Sequence, residues 1–179
     1  MVEVILSCTM TSDPAFVEVQ RFHQVWVIIL VGFIAVLCWA FFIRLLLSPA
    51  DESSAAIIVF VFVIFGILFP VWFLIMRLET EVRDLFLSYR LYPLHIAWRE
   101  VPAREIASVE AVTYSPILEY GGWGMRIGRR GRAYNVSGNR GVFICKKNGK
   151  CFLLGSQRPD ELAAALEKAM EETRRSPYP

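Results

Sequence analysis

Two uncharged runs decide the reading of this chain: VWVIILVGFIAVLCWAFFI, from Val25 to Ile43, and AAIIVFVFVIFGILFPVWFLIM, from Ala55 to Met76. At 1.5 Å per residue, 19 and 22 residues are long enough to cross a hydrocarbon core of roughly 30 Å. Lipid offers no partners to backbone N–H and C=O groups, and neither run alternates with period 2, so both are predicted to be helical. They also explain the composition. With 55% apolar residues, 20% charged residues and a mean hydropathy of +0.45, 179 residues are too oily for a soluble domain. A soluble enzyme, a disordered chain and a coiled coil are thereby set aside.

Working outward, Ser48 to Ser54 has a turn composition, so helices over 25–47 and 55–76 are expected to return as an antiparallel hairpin. Arg21 precedes the first run and Arg77, Arg83 and Arg90 follow the second, whereas the connection carries Asp51 and Glu52. By the positive-inside rule the expectation is an integral inner or cell membrane protein with two spans and both termini cytoplasmic; Arg44 can snorkel to the interface. Met1 to Met10 holds no Lys or Arg for a signal peptide. Within the N-terminal segment 1–24, Asp13-Pro14 reads as an N-cap followed by proline, which predicts that the first helix begins near Pro14 and runs on through Phe22 and Trp26. Ahead of it, Val2, Val4 and Leu6 alternate as in a strand. Pro70 removes one hydrogen bond from the second helix and is expected to kink it, as prolines in membrane helices ordinarily do. No Asp, Glu or Lys lies in either run, so a proton relay or ion pathway lacks a residue to use.

From residue 77 to 175 the pattern changes to short β-prone runs, Leu85–Leu91, Ala107–Tyr114, Trp123–Ile127, Ala133–Ser137, Gly141–Lys147 and Lys150–Gly155. Asn148-Gly149 between the last two predicts a type I′ hairpin that pairs Lys147 with Lys150, Lys146 with Cys151 and Cys145 with Phe152. In that register Cys145 and Cys151 project from opposite faces and do not bridge, as suits a reducing compartment. Pro159 at a first helical position, Asp160 and Glu161 behind it, and the stripe Leu162, Ala165, Leu166, Ala169, Met170 predict an amphipathic helix that covers the sheet. A short helical turn is expected at Pro102–Ile106, and the spacing of Ile106, Val109 and Val112 fits helix and strand alike. The fold class is thus a membrane protein with an N-terminal two-helix hairpin, then an α+β, mostly antiparallel β domain closed by a C-terminal helix.

Gly155-Ser156-Gln157-Arg158-Pro159-Asp160-Glu161-Leu162 leads into that closing helix, and Tyr120-Gly121-Gly122-Trp123-Gly124 and Ala133-Tyr134-Asn135-Val136-Ser137-Gly138 precede it. In these stretches the chain resembles membrane-attached bacterial pleckstrin-homology-like (PH-like) domains, within a functionally uncharacterised family of short prokaryotic two-span membrane proteins. The resemblance covers Leu78 to Glu172 and extends to the two spans. It implies a seven-stranded, strongly bent sheet capped by the C-terminal helix, no known catalysis, and frequent self-assembly.

Between Tyr120 and Pro159 stand nine basic residues, Arg126, Arg129, Arg130, Arg132, Arg140, Lys146, Lys147, Lys150 and Arg158, and no Asp or Glu, a separation that the net charge of +2 conceals. All but Arg158 are taken as a candidate surface for anionic lipid headgroups or a partner. Trp and Tyr follow strand spacing instead of forming a stacking run, which argues against nucleic acid. Gly122-Trp123-Gly124-Met125-Arg126-Ile127-Gly128 fails as a dinucleotide fingerprint because its third glycine is one position late and more strand follows. His23 and His95 are the only histidines and no cysteine pair has metal spacing, so no catalytic residue, metal or cofactor is expected. Asn135-Val136-Ser137 matches a glycosylation acceptor that the predicted orientation rules out. The reading is a membrane-anchored binding or assembly module that contacts lipid headgroups, a partner protein or a copy of itself. The alternative is a small membrane enzyme or transporter accessory subunit.

Overall fold

A computed structural model describes residues 13–22, 25–47, 52–128 and 130–175. Its elements are β1 (Phe16–Arg21), α1 (Val25–Leu46), α2 (Glu52–Val61), a π-helical stretch (Phe62–Leu68), α3 (Phe69–Ile75), β2 (Arg77–Arg83), β3 (Phe86–Tyr92), β4 (Arg99–Pro102), a 3₁₀ turn (Ala103–Glu105), β5 (Ile106–Thr113), α4 (Pro116–Tyr120), β6 (Gly124–Gly128), β7 (Gly131–Asn135), β8 (Arg140–Lys146), β9 (Cys151–Gly155) and α5 (Pro159–Arg175).

The two apolar runs are helices long and apolar enough to cross a membrane, Val25–Leu46 with a mean hydropathy of 2.8 and Ala56–Ile75 with 3.0. Aromatic rings join them: Phe42 stacks on Phe62 at 4.2 Å and Trp39 meets the same ring edge-on at 4.9 Å. Pro70 follows directly on the π-helical stretch, at the first turn of α3, where a missing N–H is tolerated. The widened turn before it accommodates the proline ring, a named cause of local bending in helices.

The expected helix start at Pro14 is wrong. Phe16–Arg21 is a strand, antiparallel to β2 from Phe16 opposite Val82 to Arg21 opposite Arg77. After the buried Phe16 its alternation runs against hydrophobicity, with Glu18 and Gln20 buried while Val17 and Val19 face outward. Residues on both sides of the helix pair therefore build one sheet, of order β1-β2-β3-β4, and β2 starts immediately after the Met76 cap of α3. The alternation Val2, Val4, Leu6 lies outside the described residues.

A second sheet has the order β5-β8-β9-β7-β6, antiparallel except for the parallel pair β7–β9. Among the described residues there are thus nine strands in two sheets, eight of them (β2–β9) in the region where the resemblance implies a single seven-stranded one. The inward faces of both sheets and the stripe Leu162, Leu166 and Ala169 of α5 share one core with Leu78, Val82, Leu91, Val142, Ile144 and Leu154. The expected helical turn is the 3₁₀ turn, and Ile106, Val109 and Val112 belong to a strand.

The β8–β9 register differs by one residue from the expected pairing. Only Gly149 takes positive φ, +79°, so the loop is not type I′, which requires it at both central residues. Lys147-Asn148-Gly149 instead forms a three-residue loop. It is closed by the Gly149 N–H to the Lys146 carbonyl at 2.9 Å and the Lys146 N–H to the Lys150 carbonyl at 2.9 Å. The Asn148 Oδ1 accepts the Lys150 N–H at 3.1 Å, which favours this closure. Cys145 then lies directly opposite Cys151, on the same face, and the two are joined as a disulfide with Cα atoms 4.1 Å apart.

Candidate functional site

The strand order gives the domain two ends. Arg21, Arg77 and Tyr92 lie side by side at the end from which the helices leave. In the second sheet the same end holds Gly155, whose carbonyl accepts the Gln20 Nε2 at 2.7 Å, and Trp123, whose ring lies 5.6 Å from that of Trp26 in α1. The opposite end carries the Lys147–Gly149 loop, the 3₁₀ turn and the connection between β6 and β7. Because β7 runs parallel to β9, with Arg132 opposite Phe152, the β6–β7 and β8–β9 turns meet there.

This geometry divides the basic segment. Lys147 and Lys150 are exposed at the far end, where Lys146 pairs with Glu105 at 3.4 Å. Arg130, in the adjoining turn, stacks over Phe143 at 5.4 Å and, with Leu118, Glu119 and Tyr120, lines a depression of about 410 Å³. Gly131 at φ +113° lets this turn approach the Cys151 carbonyl, which a side chain would strike. Arg132 lies on the opposite face of β7 from buried Ala133, beside Ile127. Arg126 is held by the Trp123 carbonyl at 3.0 Å, and Arg140, toward the helix end, pairs with Asp160 at 2.8 Å. Arg158 pairs with Glu161. Arg129 lies outside the described residues, as do His23 and Asp51. Of the described candidates, Arg130, Arg132, Lys147 and Lys150 lie at the far end with Lys146 in its ion pair beside them, while Arg126 and Arg140 lie elsewhere.

Sequence reasoning missed the polar clasp that joins the sheets. The buried Glu18 carboxylate accepts the Ser156 hydroxyl at 2.6 Å and the Gln157 N–H at 2.7 Å, and the Ser156 Oγ in turn accepts the Arg158 N–H at 3.0 Å. An acidic residue between two valines was the signal, and it is readable only once the strand's inward face is known.

His95 lies in the core of the domain. Its ring packs against Tyr134 at 5.6 Å, and burial, followed by the nearby Arg99 charge, lowers its pKa from 6.5. Burial likewise pushes the Tyr114 and Tyr89 hydroxyls up to about 12, which leaves neither a usable base at neutral pH. Tyr114 accepts the Asn135 Nδ2 at 3.0 Å; Asn135 is fully buried, so the acceptor motif there is closed to modification. Among the described residues, no three His, Cys, Asp or Glu side chains gather as a metal site.

Compared with known proteins, the chain matches a family of unknown function (DUF6141) over residues 10–172, and it belongs to that family. No curated protein and no solved structure matches it.

Proposed function

We propose that this family member is a membrane-anchored assembly module, in which the helix pair crosses the bilayer and the PH-like domain binds a second copy of itself. Support for anchoring comes from the join: strands β1 and β2 flank the helix pair, and no linker separates Met76 from Arg77. Two sheets closed by a C-terminal helix are in keeping with a PH-like architecture, while the parallel β7–β9 pair departs from a simple meander.

Charge separation carries the assembly reading. The far end presents Arg130, Arg132, Lys147 and Lys150, whereas α5 bears Glu167 and Glu172 beside Asp160, Glu161 and Glu171, the last three paired with Arg140, Arg158 and Arg175 of the same chain. One surface is complementary to the other, and a membrane holds all copies in one orientation. The far-end basic group also points away from the bilayer, which favours a protein contact over headgroups.

The arginines flanking the helices support a cytoplasmic domain, and the Cys145–Cys151 bridge argues for an oxidising side. We favour the cytoplasm, because main-chain bonds close the turn and hold the two sulfurs opposite each other without the bridge.

Cross-linking of the full chain in native membranes tests assembly. Homo-oligomers should appear, diminish in Lys147→Glu/Lys150→Glu, and return when that chain is co-expressed with Glu167→Lys/Glu172→Lys. Oligomers indifferent to both substitutions, or their absence from the parent protein, would refute it.

A further inference from the structure

The loop from Pro93 to Trp98, between β3 and β4, exposes three large apolar side chains at the end of the domain from which the helices leave. Ile96 is 81% exposed, Leu94 43% and Trp98 40%. The strand register locates the loop without ambiguity. Tyr92, the last residue of β3, lies opposite Arg77, the first residue after the Met76 cap of the second apolar helix. Adjacent strands are about 4.8 Å apart, so the loop starts one strand's width from the point where that helix ends. His95 explains which side chains turn outward: its N–H donates to the Leu91 carbonyl at 2.7 Å and its ring is buried against Tyr134, which leaves the flanking Leu94 and Ile96 directed away from the core.

The surroundings match one environment, the boundary between headgroups and acyl chains. The Arg77 guanidinium lies 5.1 Å from the Tyr92 ring, and that of Arg90 lies 4.6 Å from Trp98, so aromatic rings and cations are layered beside the apolar tip. Trp26 and Trp72, in the terminal turns of α1 and α3, and Trp123 stand at the same end. Four of the five tryptophans thus collect there, Trp39 excepted, as in an interfacial aromatic belt.

We propose that Pro93–Trp98 enters the bilayer interface as a third membrane contact, with Leu94 and Ile96 at the acyl boundary and Trp98 among the headgroups. The proposal rests on the reading that the helix pair spans the membrane. It adds that the domain is seated face-down on the lipid, held by its own loop, with the far-end basic group turned to the aqueous side.

The test uses the full chain reconstituted in phosphatidylcholine–phosphatidylglycerol vesicles, with a photo-crosslinking amino acid at position 33, 96 or 147 and adducts read by mass spectrometry. Position 33 lies within α1, and 147 lies in the far-end loop. Lipid adducts at 33 and 96, with none at 147, are the expected result. Adducts at 33 without any at 96 overturn the loop contact and leave the spanning helices intact. Absence of adducts at 33 overturns both, and adducts at 147 as readily as at 96 overturn the face-down seating. A second variant, Ile96→Asp with the crosslinker at position 94, should lose the lipid adducts that Leu94→crosslinker alone forms; retention of them refutes insertion.

Discussion

Replacing Glu18 tests whether the clasp between β1 and the second sheet is a principal tie in the domain. Glu18 offers an oxygen to the Ser156 hydroxyl at 2.6 Å and another to the Gln157 N–H at 2.7 Å, and it is 8% exposed. Hydrogen bonds to charged groups contribute about 1.5–3 kcal/mol each, and a buried donor stranded without a partner costs a further amount of similar size. Glu18→Val strands the Gln157 N–H outright. The buried Ser156 hydroxyl loses the acceptor of its O–H as well, although its oxygen still accepts the Arg158 N–H. The expected destabilisation is about 2–4 kcal/mol, against a total of about 5–15 kcal/mol for a domain. Glu18→Gln retains one acceptor and should cost about 1–2 kcal/mol. Thermal unfolding of the full chain in nanodiscs, followed by near-UV circular dichroism, gives the difference, and hydrogen exchange at Gln157 locates it. If Glu18→Val shifts stability by less than about 0.5 kcal/mol, or if Gln157 exchange is unchanged, the clasp is not a principal tie.

Two further outcomes follow from the described geometry. The folded state keeps His95 neutral through burial and the Arg99 charge, so the unfolded chain takes up its proton first as pH falls below about 6.5. Stability should decline from there through the lower folded pKa, and His95→Phe should remove that part of the decline; identical melting profiles between pH 7.5 and 5 for the two proteins would contradict it. The Cys145–Cys151 bridge closes a ring across a separation of six residues, for which chain entropy gives about 2 kcal/mol. Purified oxidised protein should therefore exceed Cys145→Ser by about that amount and fall to the variant's level in reductant. Acid-trapped cells should yield both thiols free to alkylation, and full protection would reverse the proposed orientation.

What was legible in the chain and what was not divide along one physical line. Strands β3 and β8 and helix α5 carry apolar residues at the period of their own geometry, so pattern finds them, whereas β5 fits helix and strand alike and β6, β7 and β9 are marked only by β-prone residues between turns. Neither signal marks β1 and β2. FVEVQR buries Glu18 and Gln20 and exposes its valines, and RLETEVR surrounds Leu78 and Val82 with charges that pair laterally, Arg77 and Arg90 with Glu79 and Arg83 with Glu81. For Glu18 and Gln20 the partners are Ser156, Gln157 and the Gly155 carbonyl, distant in sequence, and no local window contains them. The β8–β9 loop shows a subtler limit: Asn-Gly identified a hairpin, but the loop's length depended on the Asn148 side chain binding the Lys150 N–H, and one residue of slip turned Cys151 to face Cys145. At the candidate surface, the basic segment was visible as composition. Its division was not, because ion pairs reach Arg140 and Lys146 from Asp160 and Glu105, outside the segment. Leu94, Ile96 and Trp98 carry no sequence signal of their own and lie in the loop between β3 and β4.

The pairing of β1 with β2 has a consequence for biosynthesis. Phe16 and Val82 are partners, yet the whole helix pair is translated between them. On the proposed topology β1 leaves the ribosome first and waits, unpaired, with its valines exposed, until both helices have entered the lipid and the chain has come back to the same side. Only a completed round trip delivers β2. A chain whose second helix stalled outside the bilayer, or passed through the wrong way, would leave the two strands in different compartments, with Glu18 and Gln20 lacking any partner for their side chains. On that topology, closure of the sheet ties the fold of the domain to completed insertion of both helices: a copy that fails it keeps an unpaired β-strand, and a copy that completes it holds β1 and β2 on one side by their ladder.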